Sequence, residues 1–323
     1  MSFSFKSNYN FEILSFLNVL TSDAFYLKYN GEAYNKFFPL LSQNSKDNIS
    51  LMVQKMHQTN IAFMFNIILA AMRDYVDKDV CTAFQLNHEL DYILEELKKH
   101  PYIPVDVLNE ANTLFTMATA IMNDLENLGF REYWLKEMEP SLKSRCRELQ
   151  DFVDSYDFED MFKSIKPVLP DHINVYVCTF HRPHSTKINL NGDVILSDFY
   201  TNETALMILI HELFHPPYVI GEVSESLREL SEKAWIIEAF ENQNENCKYS
   251  QMEYFLEENI VESLGIYIAY KLGIEMEPYK YFKNHDYGSH VISPFFFKYL
   301  LENPKQPTQS FSEYLSDFVE YIR

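Results

Sequence analysis

A chain of 323 residues, 47% hydrophobic and 23% charged, holds enough apolar material for one large domain or two of ordinary size, which excludes disorder over most of its length. Against 27 Lys and Arg stand 47 Asp and Glu, a formal net charge of −20, and so acidic a surface argues against nucleic-acid backbones and anionic membranes as partners. Seven glycines are few for this length and leave little for tight turns, which favours long helices over a many-stranded sandwich.

In chain order, the apolar part of residues 1–20 is broken by Glu12 and Asn18 and lacks a small-residue cleavage site, so it does not read as a signal peptide. The apolar run at 61–72 contains Asn66 and is too short to cross a bilayer. Cys81, Cys146, Cys178 and Cys247 lie far apart and read as reduced thiols, and the expectation is a cytoplasmic protein.

From Asn10 to about Lys166 the pattern is helical. Apolar residues recur at three- and four-residue steps over 49–75, 84–99 and 105–128; Pro101 and Pro104 separate two of these segments, and Gly129 closes the last as a C-cap. His57, His88 and His100 are solitary. Residues 1–166 therefore read as a helical domain of unknown role.

The texture changes near Pro167. INVYVCTF, residues 173–180, alternates and is rich in β-branched and aromatic residues, which predicts a strand. Residues 187–190 and 193–196 flank Asn191-Gly192, a dipeptide suited to a type I′ turn, so a β-hairpin is expected. The helical period then resumes to the end. The fold class expected is mainly α with a small antiparallel β-sheet: a helical domain over 1–166 followed by a second domain over 167–323.

Directly after the hairpin comes TNETALMILIHELFHPP, an apolar helix with Thr201 or Thr204 as N-cap and Pro216-Pro217 as its stop. It carries His211, Glu212 and His215 in the order H-E-x-x-H. Residues four apart project from one helix face a turn apart, so both imidazoles can reach one zinc ion, while Glu212 lies to the side, where it can take a proton from water. Further on, residues 254–272 form a strongly periodic helix carrying Glu257, Glu258 and Glu262. Glu258 and Glu262 share a face amid apolar residues, and carboxylates so placed need partners.

This pattern resembles the zincin metallopeptidases, in which the two histidines bind zinc and the intervening glutamate is the general base. The glycine and third histidine of the metzincin branch are missing, since Tyr218 and Gly221 stand at those positions. The gluzincin, thermolysin-like branch takes a glutamate ligand from a later helix, with a second carboxylate one turn on that orients a ligand histidine. By that resemblance Glu258 is the third ligand and Glu262 the orienting carboxylate, with the reverse assignment open. An aspzincin-type aspartate at Asp286 is a more distant alternative, because Asp286-Tyr287-Gly288 lacks the spacer of D-x-x-Y-G. The interval from His215 to Glu258 exceeds the thermolysin-type one, which leaves the subfamily unplaced, and the aminopeptidase hallmark G-x-M-E-N is absent.

The resemblance further implies an oxyanion donor from the turn-to-helix element at 285–300, with Tyr287, His290 and His285 as candidates in that order, and a sheet edge beside the metal, for which the 187–198 hairpin is the candidate. His181 and His184 in HRPH read as an ordinary loop. The implied function is a zinc-dependent peptidase acting on a peptide or protein substrate with one zinc ion. The alternatives are a regulatory or binding protein that keeps a structural or vestigial zinc site, and a zinc hydrolase of another class.

Overall fold

A computed structural model of the chain describes residues 1–59, 95, 98, 105–157, 159–165, 171–188, 192–215, 220–244, 249 and 251–322. Two compact units result. One is Ser2–Asp151 together with His172–Tyr200; the other is Phe152–Asp171 and Thr201–Arg323, with Met1. The strands after residue 171 thus group with the N-terminal half, whereas the sequence boundary at 166 assigned them to the C-terminal one.

The first unit begins with β1 (Ser2–Lys6), α1 (Tyr9–Leu20), α2 (Ala24–Phe37) and α3 (Gln43–Thr59) and continues with α4 (Val105–Asn127) and α5 (Glu139–Val153). Residues 60–75, the 84–99 segment except Glu95 and Lys98, His88, His100, Cys81 and Cys247 lie outside the described residues. Asn8 caps α1 by accepting from the amides of Asn10 and Phe11. Every residue of α1 is buried, as expected of a helix that is apolar on nearly all sides. Gly129 stands just past α4 with φ +78°, the left-handed conformation of a helix C-cap.

The strands of this unit are β1, β2 (His172–Cys178), β3 (Thr186–Lys187) and β4 (Val194–Ser197), in the spatial order β1-β2-β4-β3. The sheet is mixed, which corrects the antiparallel expectation: β1 and β4 both pair parallel to β2, and only β3 runs antiparallel to β4. The reason is the path after β2. A turn held by the two-point ion pair of Arg182 with Asp198, at 2.6 Å for each contact, reverses the chain into β3, and the hairpin reverses it again. β4 is thereby inserted between β2 and β3, in the direction of β2.

Gly192 sits in the hairpin connection with φ +98°, although Asn189, Leu190 and Asn191 lie outside the described residues. The strand β1 was not anticipated: five residues, SFSFK, give a weak alternation, and their partner is some 170 positions away. Its open side is covered by Gln150 of α5, which accepts from the Phe5 amide and donates to the Phe3 carbonyl, each at 3.2 Å.

Glu12 of α1 is fully buried, and its two oxygens accept from the amides of Thr179 (2.8 Å) and Phe180 (2.9 Å) where β2 ends. Burial pushes its carboxyl up from an ordinary 4.5 to about 7, against the opposing pull of those two amides. The folded state therefore holds a proton that the unfolded chain releases at lower pH. This contribution to stability is complete below about pH 4.5 and is lost as pH rises through 7. The expected result is a wild-type unfolding free energy that falls from pH 5 to pH 8 by about 2–3 kcal/mol, a fall absent in Glu12→Gln. Parallel pH profiles for the two proteins would refute it.

In the second unit, α6 (Glu159–Ile165) precedes α7 (Asn202–Leu213), α8 (Ile220–Ser231), α9 (Ala234–Glu241), α10 (Met252–Lys271), α11 (Pro278–Asn284), α12 (Ser293–Glu302) and α13 (Phe311–Tyr321). Thr201 caps α7 through the Thr204 amide, and Ala205, Leu206, Leu209, Ile210 and Leu213 bury its apolar side. The long helix α10 is central. It packs against α7, α8 and α12, and is apolar around most of its circumference because neighbours cover it on several sides. No helix among the described residues is long and apolar enough to cross a membrane.

Candidate metal centre

The H-E-x-x-H segment lies at the end of α7. Regular helix stops at Leu213, and the last turn tightens so that the His215 amide bonds the Glu212 carbonyl at 3.2 Å. His215 thus falls just past the helix, and the expected Pro216-Pro217 stop lies outside the described residues. The two imidazoles still converge, with their Nε2 atoms 2.9 Å apart.

Each ring is held from behind by a carboxylate. His211 Nδ1 donates to Glu262 Oε2 at 2.7 Å, and His215 Nδ1 donates to Glu257 Oε1 at 2.9 Å. A carboxylate can only accept, so both Nδ1 atoms carry hydrogen, and the two Nε2 atoms are left to face each other. At that separation one shared proton, or a cation beside both atoms, bridges the rings. Glu258 faces the same spot, its oxygens 3.4 Å from His211 Nε2 and 3.6 Å from His215 Nε2. His211, His215 and Glu258 accordingly form a group of three ligating atoms within 4.8 Å of one another.

This geometry separates two glutamates that spacing alone left interchangeable. Glu258 stands on the Nε2 side, where a metal would bind, and Glu262 on the Nδ1 side, where it orients His211. Glu257, to which the sequence gave no task, does for His215 what Glu262 does for His211. Side-chain exposure follows the same division: His211 (19%) and Glu258 (28%) are partly open, whereas Glu257 (9%) and Glu262 (6%) are shut away. Two nitrogens and one oxygen with open access suit a zinc ion that keeps a position for water. The carboxylates behind the rings are the partners that metal-binding histidines ordinarily require.

The electrostatics favour positive charge at this place. Burial pulls the His211 pKa down, but Glu258 and Glu262 outweigh it and raise it well above the ordinary imidazole value. Burial alone would push the Glu262 carboxyl up, yet the hydrogen bond and charge of His211 hold it well below the usual range. Glu258 is also lowered against its burial, through His215 and then His211.

Two further features set the geometry. At Gly265 of α10 an added Cβ would stand 3.4 Å from the His211 Cα, so this glycine admits the backbone of α7 at close range. Asn259, fully buried, accepts from the Ile292 amide at 2.8 Å and donates to the Phe255 carbonyl at 2.9 Å, tying α10 to the start of α12. Ser263 and Ser293 both donate to the Asn259 carbonyl at 2.7 Å. Their sequence signal is three small or polar residues, Asn259, Ser263 and Gly265, set among the buried apolar positions of α10. Asn259→Ala strands the buried Ile292 amide and is expected to lower stability by about 1–3 kcal/mol, read as a lower denaturant midpoint. An unchanged midpoint would count against the tie.

Of the remaining site candidates, Glu212 is half-buried on α7 beside His211. Tyr287 is 66% exposed, and no hydrogen bond or ring contact joins it to the histidines or glutamates. His290 is 2% exposed, and its Nε2 donates to Asp286 at 3.2 Å. Asp286 pairs with His285 and His290 and does not belong to the ligand trio. In the first unit, His181 is buried against Ser15 and Thr186, and it forms no metal-ligating group with His184 among the described residues. The hairpin carries β4 in the sheet interior and offers as its outer edge the two residues of β3.

Comparisons with protein-family models, with curated proteins and with solved structures give no match.

Proposed function

We propose that this protein is a zinc-dependent metallopeptidase, with His211, His215 and Glu258 as the zinc ligands and Glu212 as general base. The observation that carries the reading is the pair of Nε2 atoms 2.9 Å apart, each ring locked from behind by its own carboxylate and both facing Glu258. A hydrogen-bonded histidine pair in an ordinary core needs no second carboxylate shell. Here both ligating imidazoles have a carboxylate that fixes their direction.

Bound zinc would supply Lewis acidity, lowering the pKa of water and polarising a scissile carbonyl. Glu212 accepts the proton from the attacking water and returns it to the leaving amine. Glu257 and Glu262 accept the Nδ1 hydrogen bonds, which leaves Nε2 as the atom of each ring that would hold zinc, and they would stabilise the charge that the metal brings. Glu258 remains ionised because the two histidines compensate its burial. A peptide or protein is the substrate class, and the acidic surface disfavours nucleic acid.

The test is cleavage of a mixed peptide library by purified protein before and after chelation. Cleavage is expected to disappear with the metal and return with added zinc. Zinc-loaded, folded protein that cleaves nothing would instead favour a binding or regulatory role.

A further inference from the structure

We propose a second cation site in the same unit, formed by Glu262, His285 and His290. One ligating atom from each lies within 4.8 Å of the others, a separate group from the trio on His211, His215 and Glu258. The site goes beyond the peptidase reading and does not require a metal on His211 and His215, although Glu262 borders both groups.

The first observation is a pair of orphaned acceptor positions. Glu262 spends Oε2 on His211 and also faces the Tyr281 hydroxyl, but its Oε1 is buried and no donor meets it in good hydrogen-bond geometry. His290 gives Nε2–H to Asp286, while its Nδ1 is buried and likewise without a partner. Both residues are more than nine-tenths buried. A buried polar atom left unpaired costs about 1–3 kcal/mol, and two of them in one small group of metal-ligating side chains call for a shared partner.

The second observation is charge. Glu257, Glu258, Glu262 and Asp286 bring four carboxylates to four imidazoles, those of His211, His215, His285 and His290. Carboxylates in that number, of which Glu257 and Glu262 are largely buried, favour cations bound among them. Asp286 holds His290 from behind at 3.2 Å and approaches His285 at 3.7 Å, repeating the carboxylate–imidazole arrangement of the first group. Tyr281 stacks on His285 with ring centroids 4.6 Å apart, and His285 on His290 at 5.8 Å, which fixes the ring planes. Asp286 and Tyr287 both adopt positive φ, at 42° and 55°, so the turn that brings His285 and Asp286 into the group is a strained one.

Two imidazoles and a carboxylate are a donor set for zinc more than for calcium or magnesium. Such a site takes His285 and His290 out of the oxyanion role expected from the sequence, since a ring nitrogen bound to a cation has no proton to give there.

The test is zinc stoichiometry by equilibrium dialysis with metal analysis, using zinc alone as probe. Wild type is expected to take up two ions per chain, and His285→Ala and His211→Ala one each. His285 is 45% exposed, so its replacement leaves the core intact. Equal uptake by wild type and His285→Ala overturns the second site. Equal uptake by wild type and His211→Ala, with a loss in His285→Ala, overturns the first site and leaves the second standing. Protons in place of a second metal would appear as single-ion uptake by wild type that His285→Ala does not change, which also overturns the proposal.

Discussion

Glu212→Gln should retain zinc and lose peptide cleavage by about 10²- to 10⁴-fold. Glu212 is not among the ligating atoms that converge on His211 Nε2, so a neutral amide there leaves metal affinity intact. What it removes is the acceptor for the proton of the attacking water, and with it the donor to the leaving amine. The measurement pairs kcat on a cleaved library peptide with metal content of the same preparation. Unimpaired turnover would exclude Glu212 as base. Loss of zinc together with turnover would instead make it a structural support of the site.

The second large effect separates the three glutamates of α10. With the His285→Ala background removing the second site, Glu258→Ala is expected to abolish stoichiometric zinc uptake at micromolar metal. Glu257→Ala and Glu262→Ala should weaken it about 10- to 100-fold, the usual cost of losing the partner that orients a ligand histidine. The difference follows from position: Glu258 faces Nε2 of both rings, whereas Glu257 and Glu262 hold Nδ1. If Glu262→Ala abolished binding and Glu258→Ala only weakened it, the two roles would be exchanged. Dialysis against competing chelators of graded strength reads the affinities directly.

Much of the second unit is local and therefore legible in its sequence. The spacing of His211 and His215 brings their rings together even though the helix ends between them, because a tightened last turn still returns the chain to the same side. Thr201 caps its helix as its hydroxyl dictates, and the pairing of Glu258 with Glu262 follows from the helical period. Gly129 and Gly192 take the positive φ that their positions demand, since glycine alone does so without steric cost.

What adjacency cannot determine is which side of a helix meets which neighbour. Successive residues on α10 diverge by about 100°, so Glu257, Glu258 and Glu262 are distinguished only by the way α7 lies across them. Gly265 permits that close approach. The parallel pairing of β1 with β2 and the cover given by Gln150 join residues more than a hundred positions apart, beyond the reach of any periodic signal. The sequence by itself determined a helix-rich acidic chain with two histidines and two glutamates at ligand spacing. Only the tertiary structure decided which carboxylate faces the ring nitrogens, which ones orient them, and that His285 and His290 join Glu262 in a group of their own. Those choices rest on packing between elements distant in the chain, and packing is where the directions of side chains are set.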